Sequence, residues 1–224
     1  MPDIPNRDEL EAELARRFSK LSSKHRRELL QLLGTPPDYG NVPASFWERV
    51  AGELNGSFVP FLTLVFLESI ERLLPTVPIG IDWALANQYA ANWAREYSFE
   101  LIRGINNTSR RAVQDAVASY FEQGLTRADL ETRLASIFGP TRAEMIAVTE
   151  TTRASVAGER AWAEELRKQG VEMIEVWETH KDDLVCPICA PLDGKPKGEA
   201  WTDATGPPAH VRCRCWTNHE IKKP

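Results

Sequence analysis

The motif Cys186-Pro187-Ile188-Cys189 and, after a gap of twenty residues, His210-Val211-Arg212-Cys213-Arg214-Cys215 gather five metal-ligating side chains in one stretch. Each short spacing turns two side chains into half of a tetrahedral site and the gap closes a loop between the halves, a pattern suited to zinc. Five candidates compete for four places. Cys186, Cys189, His210 and Cys213 make the more compact set, with Cys215 as the substitute ligand, since Cys213 and Cys215 share a face if their segment is extended. Zinc held by four protein ligands is a structural ion. Three thiolates and a neutral imidazole leave about one negative charge on the complex, and Lys181, Arg212 and Arg214 lie close in sequence to offset it. A redox pair would need its Cys-x-x-Cys at a helix start in a βαβ setting, which these loops do not supply. Plain core thiols, or disulfides in an oxidising compartment, are the other alternative.

His180, Asp182 and Asp183 precede the first Cys pair and His219 follows the last. An imidazole beside an open metal position is what a metal-dependent nuclease or toxin effector would use. A tight turn, with Asp182 or Asp183 bonding the local backbone, explains the same residues more simply. No Ser/His/Asp spacing, phosphate-cradling glycine loop or dinucleotide fingerprint is present, so no catalytic or cofactor-binding residue is assigned and the chain is expected not to be an enzyme.

The elements that position this cluster are mostly helical. Leu10, Leu14, Phe18, Leu21, Leu29 and Leu32 recur at helical spacing from an Asn6 or Asp8 cap to Gly34, with a possible kink near Ser22-Ser23. Ser45 and Glu48 predict a short helix over 46–54 closed by Asn55-Gly56, and Pro60 begins another through Leu74, stopped by Pro75 to Pro78. Asp82 opens a helix to about Gly104, Thr108 or Ser109 opens one to Gly124, and Thr126 caps one to Phe138. Thr141 with Glu144 launches the last, ending at Gly170 despite Gly158. Val171 to Thr179 then reads as a strand among turn residues. The fold class expected is mostly α with a small C-terminal α+β module: a helical N-terminal region over 1–104, a helical connector over 105–170 and a Cys/His-rich module over 171–224. Some fifty residues bury little core, so the module needs a staple.

Composition narrows the rest. The chain has 224 residues, 42% hydrophobic and 26% charged, with a formal net charge of -5, which argues against wholesale coating of nucleic acid. The one basic run, Arg16, Arg17, Lys20, Lys24, Arg26 and Arg27, contains no acid between 16 and 27; it suits DNA or an acidic protein surface, or a solvated helix face. A DNA-binding adaptor built on it is a third, weaker reading. The start shows neither a secretory nor a transit pattern, and the chain is expected to remain where it is made. The apolar stretch 58–67 is broken by Thr63 and closed by Glu68, short of the ~20 residues a bilayer needs, so no membrane span is expected.

Read together, Ala147 to Arg153 (Ala-Val-Thr-Glu-Thr-Thr-Arg), Trp177, Asp183 to Cys189, Leu192-Asp193-Gly194, and Pro207-Pro208-Ala209-His210 with Cys213-Arg214-Cys215 resemble the phage Mu F-like head-morphogenesis family, minor head proteins of tailed bacteriophages. The resemblance covers about 105–217. It implies a low-copy virion component, inside or at the portal vertex of the head and in the host cytoplasm during assembly. The implied partners are the portal and other head proteins, with a role in head assembly or in DNA packaging or delivery. It carries the family's metal-site positions onto Cys186, Cys189, His210, Cys213 and Cys215, and its helical Thr-Glu pair onto Thr149 and Glu150. Glu150 and Arg153, three apart on a helix, suit an exposed ion pair of a few tenths of a kcal/mol. No further enzymatic region follows the motif, which weakens a toxin assignment.

Overall fold

The computed structural model describes residues 3–77, 80–199, 201 and 205–222; Pro78, one of the expected helix stops, lies outside them. The elements are α1 (Arg7–Leu33), α2 (Ala44–Leu73), α3 (Trp83–Glu122), α4 (Arg127–Ile137), α5 (Pro140–Lys168), β1 (Met173–Glu178) and β2 (Trp216–Ile221). The chain divides into two compact units. One comprises Met1–Glu11, Pro60–Ala94 and Met145–Pro224, the other Ala12–Val59 and Arg95–Glu144.

The helices differ from those the sequence predicts at four places. The expected break at Asn55-Gly56 does not occur, and α2 runs through it with Pro60 inside. Phe46, Val50, Leu54 and Phe58 before Pro60, and Leu62, Val65, Phe66 and Ile70 after it, are all buried. Eight buried apolar side chains at ~1.5–3 kcal/mol each outweigh the ~3 kcal/mol of an internal proline and the ~1 kcal/mol of a glycine. Joined in this way, Ala44–Thr76 is long and apolar enough to cross a membrane by length and composition alone; many of its apolar side chains are buried in the fold, while Leu64 is exposed.

Likewise α3 continues through Gly104. Thr108 and Ser109 donate to the carbonyls of Gly104 and Ile105, four residues back, so the hydroxyls serve the helix interior and open no new helix. The last long helix begins at Pro140, where a missing N–H costs nothing, with the Ala143 N–H donating to the Gly139 carbonyl; Thr141 is therefore not its cap. No break occurs at Ser22-Ser23 in α1. The capping box of Thr126 with Asp129 forms as expected, and Gly170, at φ +86°, ends α5 while Val171 N–H returns to the Leu166 carbonyl.

In the first unit Phe66, Ile70 and Leu73 of α2 pack with Ala86 and Ala90 of α3 and Trp162 and Leu166 of α5. Gly158 permits the close approach of α5 to α2, because a Cβ there would lie 2.1 Å from Ser69 Oγ and 2.3 Å from the Phe66 carbonyl oxygen. After α5, β1 and β2 pair antiparallel in the register Met173↔Ile221 to Glu178↔Trp216. Beside them Trp177 and Trp201 meet edge to face at 5.2 Å and close over Cys189, Cys213 and Cys215. The second unit is all helix, its interior formed by residues such as Leu14, Phe18, Leu29, Phe58, Val113, Leu130 and Leu134.

Candidate metal centre

The loop from β1 toward β2 folds the first Cys pair into a tight turn. The N–H groups of Cys189 and Ala190 both donate to the Cys186 carbonyl, and Cys189 N–H also reaches the Cys186 sulfur at 3.4 Å. The second half-site turns at Arg212, a non-glycine residue at φ +64°. Two hydroxyls from α5 hold that turn. Thr149 Oγ1 accepts the Arg212 N–H at 3.0 Å, and Thr152 Oγ1 donates to the Cys213 carbonyl at 2.7 Å while accepting from the buried Arg7 at 2.9 Å. Thr149 also donates to the Met145 carbonyl. Thr149 and Thr152 of the Thr-Glu-Thr-Thr segment thus position the loop. Glu150 pairs with Arg153 at 3.5 Å as expected, but its carboxylate is buried where an exposed pair was expected.

The donors converge. Cys186 Sγ and Cys189 Sγ lie 3.0 and 3.4 Å from His210 Nε2, and Cys189 Sγ lies 3.9 Å from Cys213 Sγ. Cys189 belongs to two groups close enough to hold an ion, one with Cys186 and His210, the other with Cys213 and Cys215. Zinc bonds of ~2.3 Å to sulfur and ~2.0 Å to nitrogen at the tetrahedral angle put ligand pairs about 3.8 and 3.5 Å apart, close to two of these separations. His210 Nδ1 lies 2.8 Å from the Val211 carbonyl, the second-shell bond that leaves Nε2 as the lone-pair nitrogen. The residues present therefore fit a zinc-like ion.

Electrostatics separates the thiols. Cys213 is pulled down to about 5, first by a hydrogen bond from the Cys215 side chain and against its burial. Cys215 is pushed up by the same bond and by burial. Burial and the adjacent Cys213 push Cys189 up to about 12. For Cys186, burial raises the pKa, but hydrogen bonds from Cys189 and Ile188 and the His210 charge outweigh it and leave it lowered. His210 is raised, first by its bond to the Val211 carbonyl and then, against burial, by Cys213 and Cys186.

The other residues singled out in the sequence are engaged elsewhere. His180 Nε2 sits 3.2 Å from Asp3 with its ring against Trp216, and Asp182 accepts the Leu184 N–H in a local turn. Asp183 is exposed. Lys181 pairs with Asp193, and Arg214 with Asp8 and Asp182, so these two cations neutralise carboxylates. His219 is buried 3.3 Å from Glu159, which also contacts Arg72 and accepts from Thr217 Oγ1. Sequence reasoning missed Arg72, Glu159 and Thr217. The available signal was a stripe of small or polar residues, Thr149, Thr152, Ser155 and Glu159, at the three-to-four spacing where a buried helix face is normally apolar. In the basic run, Arg17 pairs with Glu13 and Lys24 with Glu53, Arg26 is half-buried, and Arg16, Lys20 and Arg27 are exposed.

Residues 111–218, which span α4, α5, β1, the first half of β2 and all five donors, match the family described as Phage Mu protein F like protein. No curated protein and no solved structure matches the chain.

Proposed function

We propose, from the premise that residues 111–218 make this chain a member of the phage Mu F-like family, that the protein is a non-enzymatic minor head protein of a bacteriophage virion. It acts in head morphogenesis at the portal vertex, against the portal and other head proteins. The observation that carries this reading is the convergence of the donors: Cys186, Cys189 and His210 form one group and Cys189, Cys213 and Cys215 another, with Cys189 common to both. The ligand set of this reading is Cys186, Cys189, His210 and Cys213, with Cys215 as the substitute. The space at the donors is about 20 Å³, enough for one water-sized body and too small for a nucleotide. Zinc, when bound, supplies a cross-link between the two loops. The chain's own residues do the remainder: Thr149 and Thr152 fix the second loop to α5, and the Val211 carbonyl fixes the imidazole. DNA contact through the basic run is the lesser part of the proposal, resting on the exposed Arg16, Lys20 and Arg27.

The test is head assembly in cells. Cys189→Ser together with His210→Ala is expected to abolish incorporation into purified heads. His180→Ala with Asp182→Ala is expected to leave the yield of filled heads unchanged. A nucleic-acid cleavage activity that disappears with the second pair overturns this reading in favour of a nuclease. Duplex binding that falls steeply with salt and is lost on neutralising Arg16, Arg17, Lys24 and Arg27 would add DNA to the partners.

A further inference from the structure

A groove of about 560 Å³ lies within the unit formed by Ala12–Val59 and Arg95–Glu144, outside the stretch that matches the family. One wall is α2, through Trp47, Ala51 and Gly52; the other is α3, through Arg95, Phe99 and Ile102 and on to Arg110. The α3 positions recur every three or four residues, so they form a single face about 22 Å long at the helical rise. Phe99 is 65% exposed, a large aromatic that the fold leaves uncovered.

Charge along this groove runs against the charge of the chain. Arg95, Arg103 and Arg110 line it, against the single carboxylate of Glu48, in a protein of net charge -5. Arg95 makes no ion pair among the described residues. Arg103 lies over the Phe99 ring and Arg110 over the Trp47 ring, at 5.9 and 5.3 Å, and Arg103 also pairs with Glu100 of its own helix, a local pair that a partner's carboxylate would join or displace; these two cations are held over aromatic faces of a mostly apolar groove. Two polar atoms of the wall lack partners: Trp47 Nε1, a donor, and Asn106 Oδ1, an acceptor, on residues 2% and 8% exposed. A peptide unit offers both complements, a carbonyl for the first and an N–H for the second, whereas a phosphate offers acceptors only. Both atoms are covered in the free chain, so completing them requires the small side-chain rearrangements common at interfaces.

We propose that this groove is a docking site for a segment of another protein in which a bulky apolar side chain is flanked by carboxylates. The apolar anchor seats against Ala51, Gly52 and Phe99, and the carboxylates meet Arg95 and Arg103. The site does not depend on the family assignment or on the metal centre.

Gly52 gives a clean test, because a Cβ placed there meets nothing within 4 Å. Gly52→Leu therefore fills the groove without disturbing the fold, and replacing a helical glycine is expected to hold or raise the melting temperature. The probe is a fluorescein-labelled peptide of glutamates with leucine and phenylalanine at helical spacing, titrated into the full chain by anisotropy. Saturable binding is expected. Gly52→Leu and the pair Arg95→Glu with Arg103→Glu should each weaken it at least tenfold, and the peptide with lysine in place of glutamate should not bind. Absence of saturable binding, or equal binding by Gly52→Leu, overturns the proposal. So does a labelled oligothymidine that binds more tightly and is lost in the same variants, which would make the occupant nucleic acid. A dimer that Gly52→Leu dissociates in sedimentation would make it a second copy.

Discussion

In the unit made of Ala12–Val59 and Arg95–Glu144 the large buried side chains are chiefly carbon: Leu14, Phe18, Leu29, Phe46, Leu54, Phe58, Leu130 and Leu134. In the module after Gly170 the buried side chains include Val176, Trp177, Thr179, Cys189, Trp201, Cys213, Cys215, Trp216, Thr217, Asn218 and His219. Apolar burial is non-directional and distributed, so the helical unit tolerates the loss of any one contact. The module depends more on directed bonds, in which donors and hydroxyls meet their partners in a fixed geometry. It follows that the two regions should fail differently, the first by degrees and the second at single atoms.

The strongest way to break this comparison is Cys189→Ser, since Cys189 is the donor common to both groups. Metal binding in small zinc modules is worth on the order of ten kcal/mol of folding free energy, more than a fifty-residue core supplies. Loss of bound zinc, collapse of the near-ultraviolet signal of Trp177 and Trp201, and loss of amide protection across 173–221 are expected, with the far-ultraviolet helical signal retained. Helices that unfold in step with the module would show that the contrast is false. A chelator should reproduce the variant's behaviour in the wild-type protein.

The second test removes one charge from the buried cluster that ties α2, α5 and β2. Arg72 contacts Glu159 and donates to the Thr217 carbonyl at 2.9 Å, with Glu159 fully buried. Glu159→Gln removes the carboxylate charge that faces the buried Arg72 guanidinium, an expected loss of about 3–5 kcal/mol in urea denaturation. Arg72→Met combined with Glu159→Leu should recover much of that loss, because the desolvation of both charges disappears with them. If the double variant is no better than the single, the ion pair itself is the source of stability.

These two sites also mark how far the sequence could be read. The donors were legible because thiol and imidazole spacing is a local property, and α1, α4 and the end of α5 were legible because caps such as Thr126 and stops such as Gly170 are local too. What failed was everything decided by packing. Asn55-Gly56 and Gly104 are stop signals in isolation, yet the helices cross them because apolar faces on both sides are buried. The partner strand β2 shows little alternation, its residues 216–219 being buried on both faces. Glu159 and Arg72 are 87 residues apart, and no spacing rule links them. Lys181, Arg212 and Arg214 were expected to neutralise the metal site; for Lys181, Asp193 competes, and for Arg214, Asp8 far away in sequence.

Two glycines sharpen the comparison at smaller cost. Gly158→Ala forces a Cβ to within 2.3 Å of the Phe66 carbonyl, a backbone atom that cannot swing aside, so a loss of about 1–3 kcal/mol is expected. Gly52→Ala meets open space and should gain about 1 kcal/mol of helix propensity. Thermal melts of the two variants should therefore shift in opposite directions, and a rise in both would mean that propensity, not packing, governs both sites.

The smallest expected effect lies in the helical unit and depends on pH. Glu53 is held down to about 2, first by its bond from Lys24, against burial, with His25 adding to the effect. The buried His25 is itself lowered by desolvation, which the Glu53 carboxylate opposes. A carboxylate with a depressed folded pKa contributes stability that is full above its unfolded value near 4.5 and is lost as pH falls toward 2. Lys24 is half exposed, so solvent screening keeps the contribution below about 1 kcal/mol. Glu53→Gln should accordingly cost a little at pH 6 and nothing at pH 2, with the carboxylate's part of the change falling between about 4.5 and 2. The His25 ring, followed by NMR, should titrate lower in the variant than in the wild type, because the group opposing desolvation has been removed. An unchanged His25 titration would mean that the 3.0 Å contact between the two side chains carries no electrostatic coupling, and that this unit is held by its apolar core alone.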